Sequence, residues 1–277
     1  MPMIPDTVAP PAGVARPLHQ RRGMVIVMMA LYTLGAVAVI CIWVFADQRL
    51  EPLSRAINAR DLGAQLMVWA NQPLPTGSGL VLTPQAQQRM SDIAHHLRAA
   101  LTWDSLALVP AYVGLIVSAY FLMFSRLGRH GSLWVHVLSV LPVAAGLYDL
   151  AENGMLGRAV RDFMTVSLAD DTVRDVASAH DMKWLLMGAS LAVLSGLSGA
   201  VATRQGQARP ALGQLRFGHA LLSALSMGAA VCLATGLWVG MAAVLSIGVV
   251  LMGLSLTALP TLAWLGWREG GVVSPID

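Results

Sequence analysis

Between Gly23 and Ala46 the chain runs for 24 residues without a charge (GMVIVMMALYTLGAVAVICIWVFA), and comparably apolar stretches recur downstream. An α-helix rises ~1.5 Å per residue, so about 20 apolar residues cross the ~30 Å hydrocarbon core of a bilayer. The pattern predicts an all-α, polytopic integral membrane helix bundle with six transmembrane helices, at about 23–46, 105–124, 132–151, 183–203, 215–237 and 240–263. The last two come from a single run, Leu215 to Trp267, whose only charge is Arg216; its 53 residues are too many for one crossing and enough for two. Gly236, Trp238 and Gly240 supply the turn between them.

An even number of spans puts both termini on one side, with tails at 1–22 and 267–277 around a membrane domain at 23–266. The acid-free basic loops SRLGRHG (125–131) and TRQGQARPALGQLR (203–216) assign that side to the cytoplasm by the positive-inside rule. Total basic counts do not decide it, since nine basic residues fall on each side; three acids lie inside and twelve outside.

Two outer segments, 47–104 and 152–182, are long enough for structure of their own. In the first, NQPLPTGSG separates two stretches of helical character. Thr83 is a cap, Pro84 fits the first helical position, and Ala86, Met90, Ile93, Leu97 and Leu101 follow at helical spacing, a stripe to be buried on the membrane surface or at the bundle mouth. In the second, RAVRDFMTVS reads as an interfacial helix, and Asp170 or Asp171 opens a helix running into span four.

Composition agrees with the pattern. The chain is 56% hydrophobic and 12% charged, with mean hydropathy +0.64, outside the range of ordinary soluble domains. A net charge of +3 and a pI near 9.2 do not indicate a nucleic-acid partner, because the basic residues form no continuous face. Cys41 and Cys232 both sit inside apolar runs and read as packing residues. One lysine against 17 arginines, with abundant Ala, Leu and Gly, looks like a GC-rich bacterial genome, which points to a bacterial inner membrane. Arg21-Arg22 precede the first run as in a signal peptide, but the run exceeds the usual ~7–15 residues and no Ala-x-Ala site follows, so it is expected to remain.

The candidate chemistry gathers at the outer face. Span three ends LYDLAEN, placing Asp149, Glu152 and Asn153 at i, i+3 and i+4, with Asn153-Gly154 reading as the helix cap. Asp149 lies 19 residues past His130, Lys183 lies 21 before Arg204 and Asp104 lies 22 before Arg126. At the helical rise these are ~28, ~31 and ~33 Å, one common depth. Lys183 also sits at the amino end of its helix, the wrong end of the dipole for a cation, so pairing with Asp149 or Glu152 is expected. Asp104 is a third partner, and His180 and Trp184 share the lysine's helix face.

Such a cluster has several readings. It is a salt bridge stapling two helices, or an outward-facing polar pocket for a lipid, a small amphipathic ligand or a membrane protein partner. Asp149, Glu152 and His180 are also ligand types for a metal, though at unspecific spacing, and no metal or cofactor is assigned. The working expectation is a non-enzymatic membrane component binding at this pocket. The alternatives are a membrane enzyme using Asp149 or Glu152 as acid or base, and a proton-coupled transporter.

Other motifs are weaker. Gly196-Leu197-Ser198-Gly199 resembles the G-x-S-G of rhomboid-type intramembrane serine proteases, which implies a six-span core with the nucleophile in span four. Here Ser198 falls near the cytoplasmic end, and only His219 could serve as base. A small-residue stripe of Ala192, Gly196 and Ala200 accounts for the same positions, and the resemblance is not adopted. His136 would need a histidine at matching depth to ligate haem; Asp92, His95 and His96 read as a solvated helix face. Trp43, Trp103, Trp184, Trp238, Trp264 and Trp267 lie near span ends as an aromatic belt.

Overall fold

The computed structural model describes residues 18–46, 83–128, 133–164, 170–208 and 213–271. The expected first stretch of the 47–104 segment, its NQPLPTGSG break and most of both tails lie outside the described residues. What is described is helical: α1 (Leu18–Ala46), α2 (Pro84–Trp103), a π-helical turn (Asp104–Leu108), α3 (Val109–Arg126), α4 (Leu133–Met164), α5 (Asp170–Ala208), α6 (Gly213–Val239) and α7 (Ala242–Gly271). Among the described residues, six helical stretches are long and apolar enough to cross a membrane, and each overlaps one of the six spans read from the pattern.

Three of these stretches are longer than one bilayer crossing needs. Pro84–Arg126 is continuous over 43 residues, α4 has 32 and α5 has 39, or roughly 64, 48 and 58 Å. The expectation that span three ends near Asn153 and that RAVRDFMTVS forms a separate interfacial helix is therefore corrected for the described residues. The α4 helix does not stop at Asn153-Gly154: it runs to Met164, and neither residue serves as a cap. Only Gly128 and Gly240 adopt positive φ among the described residues, so Gly154 keeps helical backbone. Continuation is driven by burial, because Leu156, Ala159, Val160 and Phe163 extend the inward stripe of α4 by another two turns. The α5 helix begins at Asp170 and continues unbroken through span four, as the pattern indicated.

These extensions meet the stripe on α2. Thr83 caps α2 by accepting from the Ala86 amide at 3.2 Å, with Pro84 at the first helical position. Ala86, Met90, Ile93 and Leu97 are buried against Leu156, Ala159, Val160, Phe163 and Val176. The stripe thus packs on the projecting ends of α4 and α5 at the bundle mouth. Between α2 and α3 the Val109 amide reaches Asp104 O, five residues back. Pro110 follows at once; it offers no N–H and its ring crowds the Leu106 carbonyl, which accounts for the widened turn.

The larger core fills the six-helix part, around Met28, Ile116, Tyr120, Leu191, Leu194 and Leu222. The most extensive interfaces are α5–α6, α6–α7 and α4–α5, while α1 packs on α2, α3 and α7. The α6–α7 turn is short. Gly240 takes φ 71° and the Met241 amide donates to Gly236 O at 3.0 Å, closing α6 with a left-handed cap.

Gly236 also sets how closely α6 and α7 approach. A Cβ there would lie 2.6 Å from the Leu245 amide nitrogen and 2.9 Å from its Cα, backbone atoms that cannot step aside. Gly236→Ala is expected to force the hairpin apart and cost about 1–3 kcal/mol, read as a lowered midpoint of thermal unfolding in detergent. An unchanged midpoint would show that the two helices are not held at this spacing.

Candidate functional site

Asp149 and Glu152 project from α4 three residues apart, and α5 supplies His180 and Lys183 at the same spacing. Lys183 Nζ lies 3.0 Å from Asp149 Oδ1 and 2.5 Å from Glu152 Oε2. His180 Nδ1 is 2.8 Å from Glu152 Oε1, and the Tyr112 hydroxyl donates to Asp149 Oδ2 at 2.8 Å. Three of the four carboxylate oxygens thus lie in hydrogen bonds, and the fourth, Glu152 Oε2, is held by the ammonium as an ion pair. The side chains of Asp149, Glu152, His180 and Lys183 are 10%, 7%, 9% and 12% exposed, so the network is shut off from bulk solvent. The lysine ammonium also lies 4.8 Å from the centre of the Trp184 ring.

Asp104 stands in a neighbouring arm and has no direct contact with the lysine. Asn153 Nδ2 donates to Asp104 Oδ2 at 2.5 Å and to Ser105 Oγ at 3.1 Å, tying the π turn to α4. All six residues singled out from the sequence therefore fall in one region, as two linked groups: Asp149, Glu152, His180 and Lys183 around the ammonium, and Asp104 with Asn153 beside them. The reading of Asp149, Glu152 and His180 as metal ligands meets a physical obstacle, because the ammonium occupies the space between the carboxylates. Among the described residues, no group of three His, Cys, Asp or Glu side chains is placed to hold a metal ion.

Two contributors escaped the sequence reading. Tyr112 sits in an apolar run of α3, where one phenol looks like any buried aromatic, and its role depends on how α3 meets α4. Gly146 makes that approach close: a Cβ there would fall 2.7 Å from Val113 Cγ2 and 3.2 Å from Val109 Cγ1. Ser105 is brought to Asn153 by the π turn, which helical phase alone does not foretell.

No family model, no curated protein and no solved structure matches this chain. The site must speak through its own geometry.

A cavity of about 430 Å³ opens beside the cluster, between α2 with the π turn and α4. Asn153 and Ser105 form its polar floor, Leu101, Gly157 and Val160 its apolar walls, and Leu106 and Leu150 its lip, with Arg98 and Arg161 also lining it. Neither Asp149 nor Glu152 lines it, which leaves the carboxylates without access to a substrate held there.

At the opposite end of the bundle, Ser198 and His219 do meet, and both are fully buried. Ser198 Oγ donates to His219 O at 2.8 Å and lies 3.2 Å from His219 Nδ1, while Arg126 contacts His219 Nε2 and donates to Leu262 O at 3.3 Å. A guanidinium has only donors, so Nε2 accepts and the ring proton resides on Nδ1, facing Ser198. In that tautomer the ring cannot take the serine proton, and the group acts as a tie among α3, α5, α6 and α7. His136 packs edge-on against Phe121, and His96 Nδ1 lies 2.7 Å from Asp92 O within its own helix. Ser195 and Ser223 exchange hydroxyl-to-carbonyl bonds of 2.8 and 2.9 Å, and Tyr120 donates to Ser190 O at 2.6 Å. These hydroxyls are committed to backbone carbonyls and do not form a continuous polar lining.

Removing one member of a buried ionic group leaves the others uncompensated. Lys183→Met is expected to destabilise the protein by about 3–5 kcal/mol, seen as a collapse in membrane abundance or thermal midpoint. Combining it with Asp149→Asn and Glu152→Gln should recover most of the loss, since no charge then remains buried; a triple variant as unstable as the single one would contradict the argument. Tyr112→Phe removes one hydrogen bond and is expected to cost about 1 kcal/mol in the same assay.

Proposed function

We propose that this chain is a multi-pass protein of a bacterial inner membrane, non-enzymatic, which binds an amphipathic ligand in the cavity between α2 and α4. The membrane reading rests on a distribution of polarity opposite to that of a soluble domain. Ile26, Ile40, Val140 and Val250 are 60–63% exposed, whereas Ser190, Ser198, His219, Ser226 and Ser255 are fully buried. Arg22 over Trp267 and Arg268 over Trp264, with rings 5.5 and 5.6 Å away, suit the headgroup level at the end where α1 begins and α7 finishes. Arg126, Arg204 and Arg216 cluster at that same end, which favours the cytoplasm for it and the outer side for the ionic cluster.

The single observation carrying the ligand reading is the cavity. Its volume falls in the range of small-molecule sites, its walls are apolar with a few polar groups, and its lip at Leu106 (73% exposed) lies where the hydrocarbon would end. The expected site at Asp149 and Lys183 is thus shifted sideways: the ionic group fixes α4 on α5, and the space for a ligand lies between α4 and α2. The acid–base alternative is disfavoured by the burial of Asp149 and Glu152 within a satisfied network, and the transporter alternative by hydroxyls bound to carbonyls along α5.

Filling the cavity tests this. A Cβ at Gly157 meets nothing closer than Leu101 Cδ1 at 3.9 Å, so Gly157→Phe can occupy the space without moving backbone. A photoreactive single-chain amphiphile in nanodiscs is expected to label peptides of α2 and α4 in the native chain, with labelling cut several-fold in the variant at equal thermal stability. Even labelling over all six spans, indifferent to the substitution, would refute the proposal.

A further inference from the structure

Resting on that reading, we infer that the occupant is an anionic lipid drawn from the bilayer, its headgroup held between Arg98 on α2 and Arg161 on α4. The two helices run antiparallel in a register fixed by two contacts. Asn153 bonds Ser105, and one turn further out Gly157 faces Leu101. Another step of four residues along each helix brings position 97 opposite position 161, so Arg98 and Arg161 stand at one level on facing rims. That level lies about 12 Å beyond the Asn153 floor by helical rise.

Both residues are exposed, and among the described residues neither guanidinium has an ion-pair or hydrogen-bond partner; Arg98 is engaged only through its carbonyl, which accepts from Thr102 Oγ1 at 2.7 Å. Two unpaired cations flanking one apolar slot repel each other, and an anion between them relieves the repulsion. Guanidinium groups also take phosphate or carboxylate oxygens in a bidentate manner. The slot is continuous with the lipid-facing side chains Leu106 and Leu150, which are 73% and 39% exposed. An acyl chain can therefore enter sideways from the hydrocarbon, while its headgroup rises along Leu101, Gly157 and Val160 to the arginine level. A water-soluble anion would have no use for the apolar walls, and a zwitterionic lipid would carry its own cation into a site that already has two.

The test reconstitutes the full chain in nanodiscs containing phosphatidylcholine and phosphatidylglycerol in equal amounts, then counts lipids retained by native mass spectrometry. The native chain is expected to retain phosphatidylglycerol about tenfold over phosphatidylcholine, and Arg98→Gln with Arg161→Gln to abolish that preference. The double variant should still be labelled by the photoreactive amphiphile, because the walls are untouched. Equal retention of both lipids by the native chain overturns the anionic proposal and leaves the amphiphile reading standing. Retention of neither, with no labelling, overturns both. A photoreactive residue at position 102 that crosslinks only to peptides of residues 47–82 would show that the chain covers its own slot, and would overturn the lipid proposal as well.

Discussion

One ammonium group shared by two carboxylates fixes the relation between the two longest unbroken α-helices. Lys183 lies more than three turns inside the continuous α5 helix, away from either end of its dipole, and would be an expensive residue alone because it is desolvated. Asp149 and Glu152 reverse that balance, and they do so from a single face of α4, so the pairing sets both the rotation and the height of α4 against α5. Everything beyond this level is an extension of that decision. With α4 and α5 locked, their projecting ends present Leu156, Val160, Phe163 and Val176 as a ready apolar surface, and α2 covers it. The ionic group is thus positioned as the floor of a three-helix extension on one end of a six-helix bundle.

The two ends of the bundle solve the same problem in different ways. At one, a single cation is set between two carboxylates. At the other, Arg126 is matched by neutral acceptors, the ring of His219 and the Leu262 carbonyl, and Arg204 reaches the Leu127 carbonyl. A cation among neutral acceptors keeps its net positive charge. Among the described residues the arginine end therefore stays electropositive, and the other end spends its lysine internally.

How much of this could be read from residues alone follows the range of the forces. The six spans were legible because hydrocarbon length is a one-dimensional constraint on apolar runs, and Gly236, Trp238 and Gly240 divided the last run correctly within a few residues. The meeting of Lys183 with Asp149 and Glu152 was legible because depth in a bilayer is counted along each helix, so groups at equal depth can be matched without a fold. What was not legible was lateral. Tyr112 joined the cluster through the closeness of α3 to Gly146, and Asn153-Gly154 looked like a helix end because local propensity was weighed without the surface of α2 that rewards continuation. The signal was present in Leu156, Ala159, Val160 and Phe163, four apolar residues on the phase already set by Glu152. Ser198 and His219 show the converse: the motif did bring a serine to a histidine, but the guanidinium on the far side of the ring decides which nitrogen holds the proton, and no motif contains it.

The π turn has a consequence for phase. One surplus residue between Asp104 and Leu108 shifts everything upstream by about 100° relative to an uninterrupted α-helix. That offset lets one continuous rod turn its α3 face to α1 while Met90, Ile93 and Leu97 face α4. Excision of a single residue from this turn would leave the rod helical yet swing the α2 stripe away from its partners, so the bundle and its extension are geared together by the surplus of one amino acid.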